Sequence, residues 1–390
     1  MMKRVGFLLA LYLLLVGTAI DGIAVEREEA EISLEKAFVE IVKGNTQQAK
    51  AILIDTLADY PDFHLARMIY ADLVAARAHH LPLLSDPAAQ ARTRTADLIE
   101  EAEARLAYRL SNSDKLPANI AKLSKYHRHA LLFDADHSRL YVFENHDGTP
   151  YLIGDYYASA GKGGMNKAHE GDNRTPSGIY KITETLNDDQ LPELYGAAAY
   201  VLNYPNQWDK TQNRSGSGIW LHGVPRITYS RPPNSSRGCI VSSNAVIKQL
   251  KQTIVVAQTP VILAMQVGWL DKTQWQKQQA QLLSHIAQWQ SDWQSLDTEQ
   301  YLDHYSHEYQ DIKMDYQQML TQTRRNAKRK TFVEVTIKNI DLLRYSTQPQ
   351  RYVAQFDQNY KSNNYNISYR KQQIWQREES GWKIIFEGRT

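Results

Sequence analysis

The chain has 390 residues, a formal net charge of +2 and one cysteine, Cys239. This length is enough for two or three domains. Because the charge is nearly balanced and the basic run at 324–330 is short, the composition does not indicate nucleic acid as a partner. A single thiol also excludes a framework of intramolecular disulfides.

Residues 1–24 have the layout of a secretory signal peptide. Two basic residues precede an apolar run from Phe7 to Val16, and small residues follow, with cleavage expected after Ala24 or after Ala19. The run is shorter than the roughly 20 apolar residues of a transmembrane helix, so a membrane contact is expected only through an uncleaved signal segment, if at all. The mature protein is therefore predicted to be exported.

Residues 26–115 are predicted to be helical. Leu34, Ala37, Phe38 and Ile41 recur at the spacing of one helix face. The stretch 44–78 resembles a tetratricopeptide-type helical hairpin, but only one such repeat is present, and stacked repeats usually need about three. A small helical module is predicted, which either binds a partner protein or braces the next domain.

Residues 126–266 have the pattern of short β-strands. The segment "ALLFDADHSRLYVFEN" (130–145) alternates around a polar turn and predicts a hairpin. Further strands are predicted in "SGIYKITETL", "GIWLHGV" and "TPVILAM", and "SNAVIKQLKQTI" (243–254) is predicted to be a helix. Many short strands separated by Gly, Pro and Asn favour a mainly-β sandwich or barrel.

Residues 269–390 begin with helical segments and end with long strands, which predicts an α+β cone. Trp289, Trp293, Tyr301 and Tyr305, followed by a final "GWKIIFEG", resemble the NTF2-like superfamily. These aromatic residues are expected in the core. Since NTF2-like domains also hold small ligands in their cone, ligand binding is the alternative role.

Cys239 is the candidate functional residue. In an exported protein an unpaired cysteine is either reactive or intermolecularly bonded, although a buried and inert thiol is the common alternative. His222 precedes it by seventeen residues, at the end of an apolar strand, and an imidazole can accept the proton of a thiol nucleophile. Gly238 permits a close backbone approach to a substrate. The helix predicted from Ser243 is expected to lower the thiol pKa and to face a developing oxyanion.

Three ordered segments resemble the L,D-transpeptidase catalytic domain, the YkuD-like fold. They are the opening hairpin, "GDNRTPSGIY" (171–180), and "LHG" followed by "SRGCIV". The resemblance implies that Cys239 is the nucleophile and that His222 is the general base and then the acid. It also implies that the Gly223 carbonyl orients the imidazole and that Ser236 and Gly238 shape the loop, with the amides near Gly238 and Cys239 as oxyanion donors.

The resemblance also implies a substrate, the peptide stem of peptidoglycan. Members cut a tetrapeptide stem between its third residue, a diamino acid, and D-Ala, and pass the acyl group to an amine or to water. Two positions depart from the family: Val241 stands where Arg is usual, and Arg237 stands where His is frequent. Arg237 is a candidate substrate-binding residue that either supplies the missing positive charge or is a surface residue.

The domain order resembles the cell-shape peptidoglycan L,D-carboxypeptidases of helical Gram-negative bacteria, for which water is the acceptor. Transpeptidation in the periplasm and carboxypeptidase activity therefore both remain open. The alternative from another class is a non-catalytic wall-binding scaffold. No cofactor or metal is predicted, because His127, His129, His304 and His307 lack a third ligand at suitable spacing.

Overall fold

A computed structural model describes residues 25–77, 93–107, 114–345 and 350–390. The predicted signal peptide lies outside the described residues. Within these ranges, no helix is both long enough and apolar enough to cross a membrane.

Within the described residues, four helices form the N-terminal module. Apolar side chains from successive helices, including Leu34, Leu53, Phe63 and Ile69, are buried together. Gly44 has a positive φ of 81°, which suits the turn between the first two helices. The helices are α1 (Glu29–Val42), α2 (Thr46–Asp59), α3 (His64–Arg77) and α4 (Thr93–Ala107).

The next part of the chain contains twelve strands and two short helices. The strands are β1 (Leu116–Pro117), β2 (Ile120–Lys122), β3 (His129–Asp134), β4 (Arg139–His146), β5 (Thr149–Tyr157), β6 (Ala160–Gly161), β7 (Gly178–Asn187), β8 (Ala198–Leu202), β9 (Trp220–His222), β10 (Asn234–Ser236), β11 (Ile240–Val241) and β12 (Pro260–Ala264). The helices are α5 (Gln207–Thr211) and α6 (Asn244–Leu250), and two 3₁₀ turns span Asp188–Gln190 and Glu193–Tyr195.

Eight of these strands form one mixed sheet in the order β11-β9-β8-β7-β12-β3-β4-β5. Strands β3 and β12 are buried along their whole length, as their continuous apolar runs require, and they pair in parallel at the centre. A separate parallel pair, β6 with β10, lies beside β11. The predicted mainly-β catalytic domain is confirmed.

The C-terminal domain is the predicted α+β, NTF2-like fold. Three helices precede four long antiparallel strands, and Trp289, Tyr301 and Tyr305 are buried between the two layers. Trp293 lines a cavity of about 590 Å³. The elements are β13 (Trp269–Leu270), α7 (Lys272–Gln294), α8 (Thr298–Leu302), α9 (Tyr316–Ala327), β14 (Val333–Arg344), β15 (Arg351–Ser362), β16 (Asn366–Glu378) and β17 (Gly381–Arg389).

The segment between the helical module and the central sheet pairs with the C-terminal domain. Strand β2 is the edge of the five-stranded sheet β17-β16-β15-β14-β2, and β1 pairs with β13. One apolar cluster contains Phe143 and Ile262 from the central sheet and Ile374 and Phe386 from the C-terminal sheet. The two domains therefore share a core.

Candidate active site

The pairing of β9 with β11 brings the two candidate residues together. The strands run parallel, with Ile240 opposite Leu221 and Val241 opposite His222. Cys239 immediately precedes β11, and His222 is the last residue of β9. His222 and Cys239 thus lie on neighbouring segments at the β11 edge of the sheet, offset by two residues in register.

His222 is held in one orientation. Its side chain is buried, and its Nδ1 lies 2.7 Å from the carbonyl oxygen of Gly223. Because a carbonyl only accepts, Nδ1 carries the proton and Nε2 is the basic nitrogen. The ring of Tyr195 packs edge-on against the imidazole, with centroids 4.9 Å apart. Burial lowers the pKa of His222 to about 4, so the imidazole is neutral at pH 7.

Cys239 is a neutral thiol at rest. Its Sγ donates a hydrogen bond to the carbonyl of Gly218, at 3.4 Å. Burial raises the pKa of the thiol, while the Trp220 amide and the charges of Arg231 and Lys167 act in the opposite direction. A half-buried, neutral thiol next to the strand that carries a neutral imidazole fits proton transfer during attack better than a preformed thiolate–imidazolium pair.

The expectation that a helix N-terminus lowers the thiol pKa was wrong. Helix α6 begins at Asn244, and Ser243 caps it by accepting from the Val246 amide at 3.2 Å. Strand β11 stands between Cys239 and this helix. Burial raises the thiol pKa in spite of the helix that follows.

The loop before Cys239 is fixed by two hydroxyl groups. The Ser236 hydroxyl donates to the carbonyl of Cys239 at 2.6 Å and accepts from the Gly238 amide at 3.0 Å. The Thr175 hydroxyl donates to the carbonyl of Gly238 at 3.0 Å and accepts from the Gly161 amide at 2.9 Å. Together they fix the backbone on both sides of Gly238.

Gly238 itself requires its small size. Its φ is +124°, and a Cβ there would lie 2.7 Å from the carbonyl oxygen of Arg174. A side chain would therefore strain the backbone and displace the loop that carries the nucleophile.

The two positions that depart from the family pattern lie in different environments. The side chain of Arg237 is exposed and makes no hydrogen bond or ion pair with the described part of the chain, so it is a surface residue. Val241 is buried and is joined to Ser159 by two backbone hydrogen bonds of 2.8 and 3.0 Å. The cations that influence the thiol are Arg231 and Lys167, neither of which the sequence indicated.

The segment "GDNRTPSGIY" contributes a rigid loop as well as Thr175. Asp172 pairs with the buried ammonium of Lys167 at 2.7 Å and accepts from three backbone amides, those of Ala168, His169 and Arg174. Although burial opposes ionisation, these donors lower the pKa of the Asp172 carboxyl. Thr175 and Asp172 thus hold the backbone around the candidate nucleophile, a role that the motif alone did not indicate.

In each of the two histidine pairs that were considered as metal sites, one ring contacts a carboxylate. The Nε2 of His127 lies 2.9 Å from Asp341, and the Nε2 of His304 lies 2.7 Å from Asp292. Across the described ranges, no group of three or more His, Cys, Asp or Glu side chains is arranged to hold a metal ion.

Two family models match the chain in the order of its domains. Residues 128–263 match the L,D-transpeptidase catalytic domain, YkuD, and residues 281–388 match the Cds6 C-terminal NTF2-like domain. The chain therefore carries a YkuD-type L,D-transpeptidase catalytic domain followed by an NTF2-like domain, as the sequence predicts.

Two solved proteins share this arrangement. Bd1075 of Bdellovibrio bacteriovorus is 29% identical, with a TM-score of 0.62, over 71% of this chain and 98% of that chain. The helical cell shape determining protein Pgp2 of Campylobacter jejuni is 22% identical, with a TM-score of 0.59, over 74% of this chain and 99% of that chain. No curated protein sequence gives a significant match.

Proposed function

We propose that this protein is a peptidoglycan-modifying acyltransferase with Cys239 as its nucleophile. The observation that carries the proposal is the neutral imidazole of His222. It lies at the end of β9, next to the segment that carries the thiol, and the carbonyl of Gly223 orients its ring. The match of residues 128–263 to the L,D-transpeptidase catalytic domain supports the substrate class, a peptidoglycan stem peptide.

In the first half-reaction, Nε2 of His222 takes the thiol proton as Sγ attacks the carbonyl of the third stem residue. The Gly238 amide already donates to Ser236, so the Cys239 amide is the better placed of the two to stabilise the oxyanion. Collapse breaks the bond to D-Ala. His222 protonates the departing amine, which leaves a thioester on Cys239.

In the second half-reaction, an acceptor attacks the thioester and His222 removes its proton. The thiolate leaves, and the proton returns to it. An amine acceptor gives a 3→3 cross-link or a protein attachment, and water gives a trimmed tripeptide.

Hydrolysis is the second candidate, because the two-domain arrangement is shared with Pgp2, which is described as a helical cell shape determining protein. With hydrolysis as the activity, the biological role that we propose is in determining cell shape. The proposal includes the periplasm of a Gram-negative bacterium as the location, which rests on the predicted signal peptide.

Product analysis tests the proposal. The protein without residues 1–24 is incubated with disaccharide-tetrapeptides, beside Cys239→Ala and His222→Gln variants, and the products are identified by mass spectrometry. Release of D-Ala with tripeptide indicates hydrolysis, and 3→3 dimers indicate transpeptidation. Product from Cys239→Ala at the wild-type rate would show that Cys239 is not the nucleophile. No product from the wild type on any wall substrate would favour the wall-binding scaffold.

A further inference from the structure

Arg231 is a half-buried cation that has no counter-charge among the described residues. Its side chain has one hydrogen bond, from Nη2 to the carbonyl of Leu194 at 3.5 Å, and no carboxylate of the described residues pairs with it. Taking a guanidinium partly out of water without a partner is unfavourable. This arrangement is expected where a ligand provides the anion.

The backbone of Arg231 is anchored beside the nucleophile loop. Its carbonyl accepts from the hydroxyl of Tyr157 at 2.8 Å and from that of Ser159 at 3.1 Å. Ser159 is in turn joined by backbone hydrogen bonds to Val241, two residues after Cys239. The position of Arg231 is therefore coupled directly to the strand that follows the nucleophile.

The guanidinium extends to the histidine side of the site. Leu194, whose carbonyl it contacts, precedes Tyr195, the residue whose ring packs on His222. The charge of Arg231 lowers the pKa of both Cys239 and His222, so it lies within electrostatic range of both reacting groups. Arg231 thus borders the space between nucleophile and base.

Lys167 provides the comparison. It also acts on the thiol, but its ammonium is buried and neutralised by Asp172 at 2.7 Å. Of the two cations that influence Cys239, only Arg231 is available to an incoming anion.

The proposed reaction supplies a suitable anion. A donor cut one residue before its end carries its terminal carboxylate only a few bonds from the scissile carbonyl. A planar guanidinium matches a carboxylate with two parallel hydrogen bonds. We infer that Arg231 binds the terminal α-carboxylate of the donor peptide and so restricts the enzyme to stems that end at the leaving D-Ala. This inference rests on the proposed function.

The N-terminal module holds the loop that presents this arginine. Tyr229 packs against Phe63 at 4.5 Å between ring centroids, and its hydroxyl donates to Glu28 at 2.8 Å. The Ser230 hydroxyl donates to Glu101 at 2.6 Å. Both residues before Arg231 are therefore fixed by the N-terminal module, which makes the module part of the donor site.

The test compares a tetrapeptide stem that has a free C-terminal carboxylate with the same stem as its C-terminal amide. Loss of a charged hydrogen-bonded pair corresponds to roughly 10–100-fold in kcat/KM. The wild type is expected to prefer the acid by about this factor. Arg231→Gln is expected to lose the preference, because it turns over the acid more slowly than the wild type does and the amide at about the wild-type rate. Arg231→Lys is expected to fall between them.

Arg226→Gln is the matched control, because Arg226 lies on the same loop but is exposed and pairs with Asp188 at 2.8 Å. It is expected to keep the wild-type preference. Equal losses for acid and amide in Arg231→Gln would show a structural role, and an unchanged ratio would show no role. Either result overturns the inference.

Binding to the Cys239→Ala variant separates this inference from the proposed reaction. Calorimetry with the acid and the amide is repeated with and without Arg231→Gln. Acid-selective binding that needs Arg231, in a protein whose wild type shows no turnover, would reject the reaction and keep the inference. Turnover without acid selectivity would keep the proposed reaction and reject the role of Arg231. The absence of both turnover and binding would reject both the reaction and the role of Arg231.

Discussion

Arg139 of β4 and Glu31 of α1 form a buried, two-point ion pair between the catalytic sheet and the N-terminal module. Nη1 lies 2.5 Å from Oε1, and Nη2 lies 3.1 Å from Oε2. Glu31 also pairs with Arg105 of α4 at 3.5 Å, and Arg139 pairs with Asp155 at 2.7 Å. The module is therefore fixed to the catalytic domain by a charged network whose members depend on one another.

Replacing Glu31 by Gln is expected to destabilise the protein by about 3–5 kcal/mol, because it leaves buried arginines without their shared carboxylate. Denaturant unfolding measures the loss. Glu40→Gln, which removes a carboxylate from the exposed pair with Lys43 on the same helix, is the control and is expected to change little. Equal unfolding free energies for Glu31→Gln and the wild type would contradict the role of the network.

The same pair has a pH dependence with a defined sign. Although burial opposes ionisation, Arg139 and Arg105 lower the pKa of Glu31 from 4.5 to about 2. The stabilisation is complete above pH 4.5 and is lost as the pH falls towards 2. The wild type should therefore lose its advantage over Glu31→Gln in this window.

The contribution of Glu28 to stability is expected to have the opposite pH dependence to that of Glu31. Burial raises the pKa of its carboxyl, although Arg105 opposes the shift, and the group accepts from Tyr229 and Ser243. A raised pKa means that its contribution is present at low pH and is lost as the pH rises through the folded-state value. Glu28→Gln should match or exceed the wild-type stability at pH 8 and flatten the profile above pH 4.5. The exposed Glu29→Gln is the control, and a steep loss of stability at pH 8 in Glu28→Gln would refute the prediction.

The fold class was predictable because its signals are local. The segments "GDNRTPSGIY" and "SRGCIV" and the long C-terminal strands identify both domains, and the structure and family models confirm them. The pairing of β2 with β14 was not predictable, because the sequence of a three-residue strand does not indicate which distant strand it pairs with, here one more than 200 residues away. The two-residue β11 was also too short to identify by alternation, which led to the wrong expectation for the thiol pKa.

Arg231 and Lys167 were not predicted for a different reason. Their effect on Cys239 depends on where their loops lie in space, and neither residue belongs to one of the motifs that resemble the catalytic domain. That no described carboxylate pairs with Arg231 is visible only once its surroundings are known.

The raised pKa of Cys239 predicts low intrinsic reactivity. At pH 7, alkylation by iodoacetamide should be slower in the folded protein than in the same protein unfolded in urea, because only the thiolate reacts. The folded rate should continue to rise above pH 9. Faster labelling of the folded than of the unfolded protein at pH 7 would instead indicate a resting thiolate.

His222 should set the acid limb of the activity profile. Protonation of Nε2 removes the base, and burial lowers its pKa from 6.5 to about 4. Activity should therefore be almost complete at pH 6 and fall near pH 4. A half-maximal rate close to pH 6.5 would show an imidazole more exposed to water than the one described.

Thr175 should affect the rate through the backbone that it holds. Its hydroxyl bridges Gly161 and Gly238, so Thr175→Val leaves a buried amide without an acceptor and releases the loop before Cys239. We expect kcat to fall about tenfold with a smaller change in KM, and Thr175→Ser to restore most of it. Thr183→Val is the control, since that exposed hydroxyl contacts only the Val201 carbonyl at 3.2 Å. If Thr175→Ser were as impaired as Thr175→Val, the methyl group and not the hydroxyl would be the feature that positions the nucleophile.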